Sequence, residues 1–131
     1  MGRPASSYPT ITELKILNYL WSHGIMTVRD IADEVAKSDQ KIAYTSIATI
    51  VRIMVDKGYV EITDARRPQK FKAVVDRKAT TASVIDGLIR AMFGGSRERF
   101  LISLVDSLAG GNYIALDQEF RRLFKLPAGK K

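Results

Sequence analysis

The stretch Ala43-Tyr44-Thr45-Ser46-Ile47-Ala48-Thr49-Ile50-Val51-Arg52-Ile53-Met54-Val55-Asp56-Lys57-Gly58-Tyr59-Val60-Glu61-Ile62-Thr63 changes its hydrophobic period partway along. Ile47, Ile50, Val51, Met54 and Val55 recur at helical spacing and form the apolar stripe of a helix from about Tyr44 to Lys57. Gly58 follows as the residue suited to a left-handed helix stop. Tyr59 to Thr63 then reads as a strand, and Lys70 to Val74 as another. The basic, proline-bearing segment Asp64 to Gln69 is the hairpin tip between them.

Two helices precede this stretch. Thr10 and Glu13 have capping-box spacing, which satisfies the first orphan amides of a helix reciprocally. Leu14, Leu17 and Trp21 share one face of that helix, with Ile16 and Leu20 alongside, and His23-Gly24 ends it. Ile25-Met26 is a short extended piece. Thr27 with Asp30 starts the second helix, which turns Ile31, Ala32 and Val35 inward, and Ser38 to Ile42 is a polar connector. Three helices and then a two-stranded hairpin with a charged tip make a winged helix-turn-helix.

After Asp76 the pattern is wholly helical. Ile85, Leu88, Ile89, Met92 and Phe93 form one apolar face, which Gly94-Gly95 terminates. Ser96 caps a helix in which Phe100, Leu101, Ile102, Leu104, Val105 and Leu108 surround most of the circumference. A last helix carries Ile114, Leu116, Phe120, Leu123 and Phe124. Three short tethered helices make a poor core alone, so a second copy paired about a twofold axis is expected to bury the surplus. The expected organisation is a flexible arm over 1–9, a winged-helix DNA-binding domain over 10–76, a helical dimerisation region over 77–126 and a loose tail over 127–131. The fold class is mainly α with a small β-wing.

The 131 residues are 46% hydrophobic and 27% charged, which excludes wholesale disorder. With no cysteine, disulfide scaffolds, thiolate metal sites and cysteine nucleophiles are excluded. The one histidine, His23, sits at a helix end, where solvation or capping is the default. No carboxylate cluster with ligand spacing and no Gly-rich loop after a strand appears, so no catalytic residue, metal or cofactor is assigned. No signal peptide and no apolar run of the roughly 20 residues that span a bilayer is evident, so a cytoplasmic protein without membrane insertion is expected.

A formal charge of +7 favours a polyanionic partner. On the third helix, the early exposed positions Thr45, Ser46, Ala48, Thr49 and Arg52 are those that meet bases and phosphates of double-stranded DNA in a helix-turn-helix. Hydroxyls bond phosphates or bases, and methyl groups pack on thymine methyls. Arg66, Arg67, Lys70 and Lys72 flank the hairpin tip and offer charge to the backbone. Arg29, near the start of the second helix, adds a backbone contact, and Arg3 in the arm is a candidate for a minor groove. The alternative is a winged helix used for protein–protein assembly, its wing facing an acidic partner.

Pro9-Thr10 through Trp21, Thr27-Val28-Arg29, Ala43 to Thr49, Lys57-Gly58-Tyr59-Val60 and Phe93-Gly94-Gly95-Ser96 occur together and in order. From about Pro9 to Leu108 the chain resembles the BlaI/MecI/CopY repressors, often called penicillinase repressors. The resemblance implies a homodimer with a winged head and a three-helix tail, bound to an inverted-repeat operator and blocking transcription. It places the recognition positions on Thr45, Ser46, Ala48, Thr49 and Arg52. Ile53 stands where the family often has a second basic residue, and Lys70-Phe71-Lys72-Ala73 keeps only the first aromatic of the family's wing. The copper-responsive branch senses metal through cysteines, which this chain lacks. The β-lactam-responsive branch is cut at an asparagine-phenylalanine bond, and Ile102-Ser103-Leu104-Val105 lacks that pair. Release by a regulatory protease of other preference, or by an effector, is the remaining expectation.

Overall fold

The computed structural model describes residues 8–38 and 41–127. The expectations for Arg3, for most of the N-terminal arm and for the end of the C-terminal tail lie outside the described residues. Helix α1 (Ile11–His23) starts on the capping box, Glu13 N donating to Thr10 Oγ1 at 3.1 Å and Thr10 N to Glu13 Oε1 at 2.8 Å. Strand β1 (Met26–Thr27) leads into α2 (Val28–Lys37), whose box joins Thr27 and Asp30 in the same way. Helix α3 spans Tyr44–Asp56. Gly58, at φ 83°, lets the chain turn directly into β2 (Val60–Asp64), and β3 (Lys70–Ala73) returns antiparallel to it.

The sheet has three strands in the order β1-β3-β2, one more than the hairpin expected from sequence. Met26 pairs with Phe71 and Thr27 with Lys70, so the short extended piece before α2 covers the outer edge of the wing. A two-residue strand carries no period of its own, and only the edge it pairs with makes it one. Tyr59 and Val74 fall just outside the strands, although Val74 N still donates to Tyr59 O at 2.8 Å.

The core is built from Ile16, Leu17 and Leu20 of α1, Met26, Ile31 and Val35, Ile47, Val51 and Met54 of α3, and Tyr59, Val60 and Phe71 of the wing. Trp21 is only half-buried. Its Nε1 donates to Val75 O at 2.9 Å, and the Arg77 guanidinium lies 5.2 Å from its ring, so it ties the chain leaving the wing to α1. Glu13 does more than cap. Lys57, just past α3, donates to its two oxygens at 2.9 and 3.1 Å, with both side chains nearly sealed at 4% and 9% exposure.

The chain divides into two compact units, residues 1–87 and 88–131, and the division falls within α4 (Arg77–Phe93). In the first, the Tyr8 ring lies so close to Gly87 that a Cβ there would sit 2.7 Å from it. Only glycine permits that approach. In the second, Gly94 and Gly95 take positive φ and Ser96 Oγ accepts from Arg99 N to start α5 (Arg97–Ala109). Asn112 caps α6 (Tyr113–Leu123), and Tyr113 donates its hydroxyl to Asp106 of α5 at 2.8 Å. Phe93 and Phe100 meet edge to face at 5.7 Å between ring centres. No residue of α5 or α6 is buried.

Lys57→Met would leave the Glu13 carboxylate sealed without its cation and is expected to destabilise the head by about 3–5 kcal/mol. Adding Glu13→Gln should recover most of that loss. Denaturant titration followed through the single tryptophan, Trp21, reads both.

Candidate nucleic-acid interface

The apolar stripe of α3 faces the core, so its opposite side is left to solvent. Thr45, Ser46, Thr49 and Arg52 are exposed there and Ala48 is half-buried. Ala43, at the N-cap, supplies no side-chain acceptor, which leaves the amides of the first turn open to an anion. The Thr49 hydroxyl donates to Thr45 O at 3.0 Å. Its proton is therefore engaged within the helix, and outward it offers a lone pair and a methyl group rather than a donor.

Arg29, at the second position of α2, holds its guanidinium 4.7 Å from the centre of the Tyr44 ring. The contact joins the starts of α2 and α3 and orients a cation beside α3. Sequence reasoning passed over Tyr44. The signal was that the stripe begins at Ile47, which leaves an aromatic residue ahead of it with no place in the core.

A groove of about 800 Å³ runs between the start of α2, α3 and the wing. It brings together Arg29, Ala48, Arg52 and Arg67 of the expected site, adds Tyr44 and Gln69, and has no acidic residue in its lining. Thr45, Ser46 and Thr49 lie outside the groove on the exposed side of α3, and Arg66, Lys70 and Lys72 lie outside it on the wing. The peptide bond between Arg67 and Pro68 is cis.

The expected wing of four cations divides into two kinds. Arg66 is held by Asp64, whose Oδ1 accepts from Arg66 N and Nε at 3.0 and 3.1 Å and whose Oδ2 accepts from Nη2 at 2.9 Å. Lys72 pairs with Glu61 at 3.2 Å across the strands. Arg67 and Lys70 have no ion pair among the described residues, although Lys70 stands across the strands from Asp64 and its charge helps to lower the Asp64 pKa. The reason is register: Glu61 stands directly opposite Lys72, and the tip folds Arg66 back onto Asp64.

Hydrogen bonds from Arg66 hold the Asp64 carboxyl below its usual range. A depressed carboxylate pKa means that the pair persists above the ordinary Asp range and is lost only as pH falls through the lowered value. The Asp64–Arg66 pair is thus constant through neutral pH. At the far end of α1, His23 faces Glu34 at 3.3 Å, and Lys37 bonds Glu34 at 2.8 Å and lowers its pKa. Among the described residues no cluster of three or more metal-ligating side chains occurs, and no helix is long and apolar enough to cross a membrane.

Residues 9–118 match the family model described as penicillinase repressor. The chain belongs to the penicillinase repressor family. It is a DNA-binding transcriptional repressor and not an enzyme, and the reading as a module for protein–protein assembly gives way to that. Its partner is operator DNA. No curated protein matches the chain.

Asp64→Asn should free the Arg66 guanidinium and tighten binding to duplex DNA regardless of sequence. The slope of log K against log salt should steepen by about 0.9, the value of one further phosphate contact. Anisotropy titrations at several salt concentrations measure it.

Proposed function

We propose that the repressor acts in the cytoplasm as a homodimer on an inverted-repeat operator, one α3 entering the major groove of each half-site. The supporting observation is that Arg29, Arg52 and Arg67 surround an acid-free groove beside the exposed residues of α3. Thr45, Ser46, Ala48 and Thr49 read bases in this arrangement, while Arg52, Arg29, Arg67 and Lys70 hold phosphates. Arg66 and Lys72 contribute less because their charges are already paired. Half-sites are spaced by about one DNA turn, roughly 34–36 Å. Steric occlusion of the promoter then blocks transcription, and a regulatory protease or an effector ends the block.

Residues 10–76 act as the DNA-binding domain and 77–126 as the dimerisation region. The reason lies in α5 and α6, which bury none of their own residues in a single chain. Leu88, Met92, Leu101, Leu104, Leu108, Phe120, Leu123 and Phe124 are all exposed large apolar residues, Met92 at 70% and Leu108 at 64%. Phe100 and Val105 are half-buried beside them. Leaving that much hydrocarbon in water costs about 25 cal/mol per Å², and a second copy removes it.

Arg67→Ala should weaken binding to all sequences and flatten the salt dependence, and it should do so more than Arg66→Ala. Thr49→Ala should instead re-rank operator variants, and Thr49→Val, which keeps the methyl, should preserve more of the ranking. Titration against the chain's own upstream DNA and single-base variants tests this, and an unchanged ranking removes Thr49 as a reader. Leu104→Glu would place an unpaired charge at the subunit contact and is expected to yield monomers in analytical ultracentrifugation.

A further inference from the structure

Ile62 occupies an unusual place. Strand alternation puts it on the same face as Val60, and pairing sets it opposite Phe71. Val60 and Phe71 are buried at 2% and 5%, yet Ile62 is 42% exposed. The core-facing side of β2 therefore runs out from under the helices, and the uncovered isoleucine lines the groove with Val55 and Phe71. Arg29, Arg52 and Arg67 line the same groove with no carboxylate among them. Phosphate contacts need cations and amides but no apolar bed. An apolar bed beside three guanidiniums, in a volume of about 800 Å³, suits a small molecule with a hydrocarbon body and an acid group.

We propose that this groove is an effector site for a small amphipathic organic anion, an aromatic or aliphatic carboxylate, whose body lies on Ile62, Val55 and Phe71 and whose acid group meets the arginines. The arginines that hold the ligand are the same ones assigned to the DNA backbone. Binding is consequently exclusive, and the ligand releases the repressor from its operator. That regulatory half rests on the DNA-binding role proposed for this face, whereas the site itself does not. Guanidinium is suited to both partners, because its fork of N–H donors matches carboxylate and phosphate alike. The hydrocarbon body adds what a phosphate lacks, the removal of Ile62 from water.

The test uses the full chain without DNA and 2-naphthoate as the probe, followed through the methyl NMR signals of isoleucine and valine. Saturable shifts are expected at Ile62 and Val55 with a Kd below about 1 mM. Binding should weaken at least about tenfold for the uncharged 2-naphthamide and for the Arg52→Ala/Arg67→Ala double variant. Ile62→Glu, a change at a partly exposed position, should also abolish it. In a separate anisotropy measurement on the wild-type chain, 2-naphthoate should displace labelled operator duplex, and benzoate, with less hydrocarbon, should do so less. Equal binding of 2-naphthamide, shifts confined to isoleucines of residues 88–131, or simultaneous binding of probe and duplex would each overturn the proposal. Failure of the duplex to bind at all would instead overturn the DNA role of the face and leave the methyl titration to decide the site.

Discussion

A carboxylate and an ammonium removed from water together set the position of α3 against α1. Glu13 closes the first turn of α1 and, with the same side chain, accepts two hydrogen bonds from Lys57 just past the end of α3. Neither charge tolerates that degree of burial without the other, so the two helix ends are held in one arrangement. The Lys57 ammonium also lies 5.8 Å from the Tyr59 ring, and burial pushes the Tyr59 hydroxyl pKa up. Polar atoms at this junction are thus confined to a few geometries, and the exposed side of α3 is aimed by them. Apolar packing through Ile47, Val51 and Met54 supplies cohesion, which has little directional preference.

Charge on α2, α3 and the wing is distributed more selectively than a count of basic residues suggests. Two wing cations are matched to acids on the wing itself, and the arginines of the groove are not. Matched pairs at the surface contribute little to stability, yet they lower the local field and with it the attraction for any duplex. Unmatched guanidiniums concentrate the attraction beside α3, the element proposed to meet base edges. A repressor has to find its site among a large excess of other DNA, and restraint in the wing's charge favours discrimination over bulk affinity.

The tail obeys a different constraint. Caps at Ser96 and Asn112 and paired glycines before α5 and α6 define its helices locally, while the packing that would stabilise them is missing from the single chain. Isolated helices of such length are marginal in water. In the homodimer proposed above, subunit association and tail folding would be thermodynamically one process.

Helices, their caps and the glycine stop were legible in the chain because each depends on residues within a few positions of one another. The boxes at Thr10 and Thr27, the stripe of α3, and Gly58 all follow from local spacing and backbone sterics. Surplus apolar residues in the last three helices were equally plain, since periodicity shows what a helix cannot cover by itself. The third strand, the sealed Glu13–Lys57 pair, the neutralised Arg66 and Lys72, and the groove beside Ile62 were decided only by tertiary structure. Each depends on which groups the folded chain brings into contact, whether they lie 44 residues apart, as Glu13 and Lys57 do, or two apart across a folded tip, as Asp64 and Arg66 do, and such partners leave no period in a sequence.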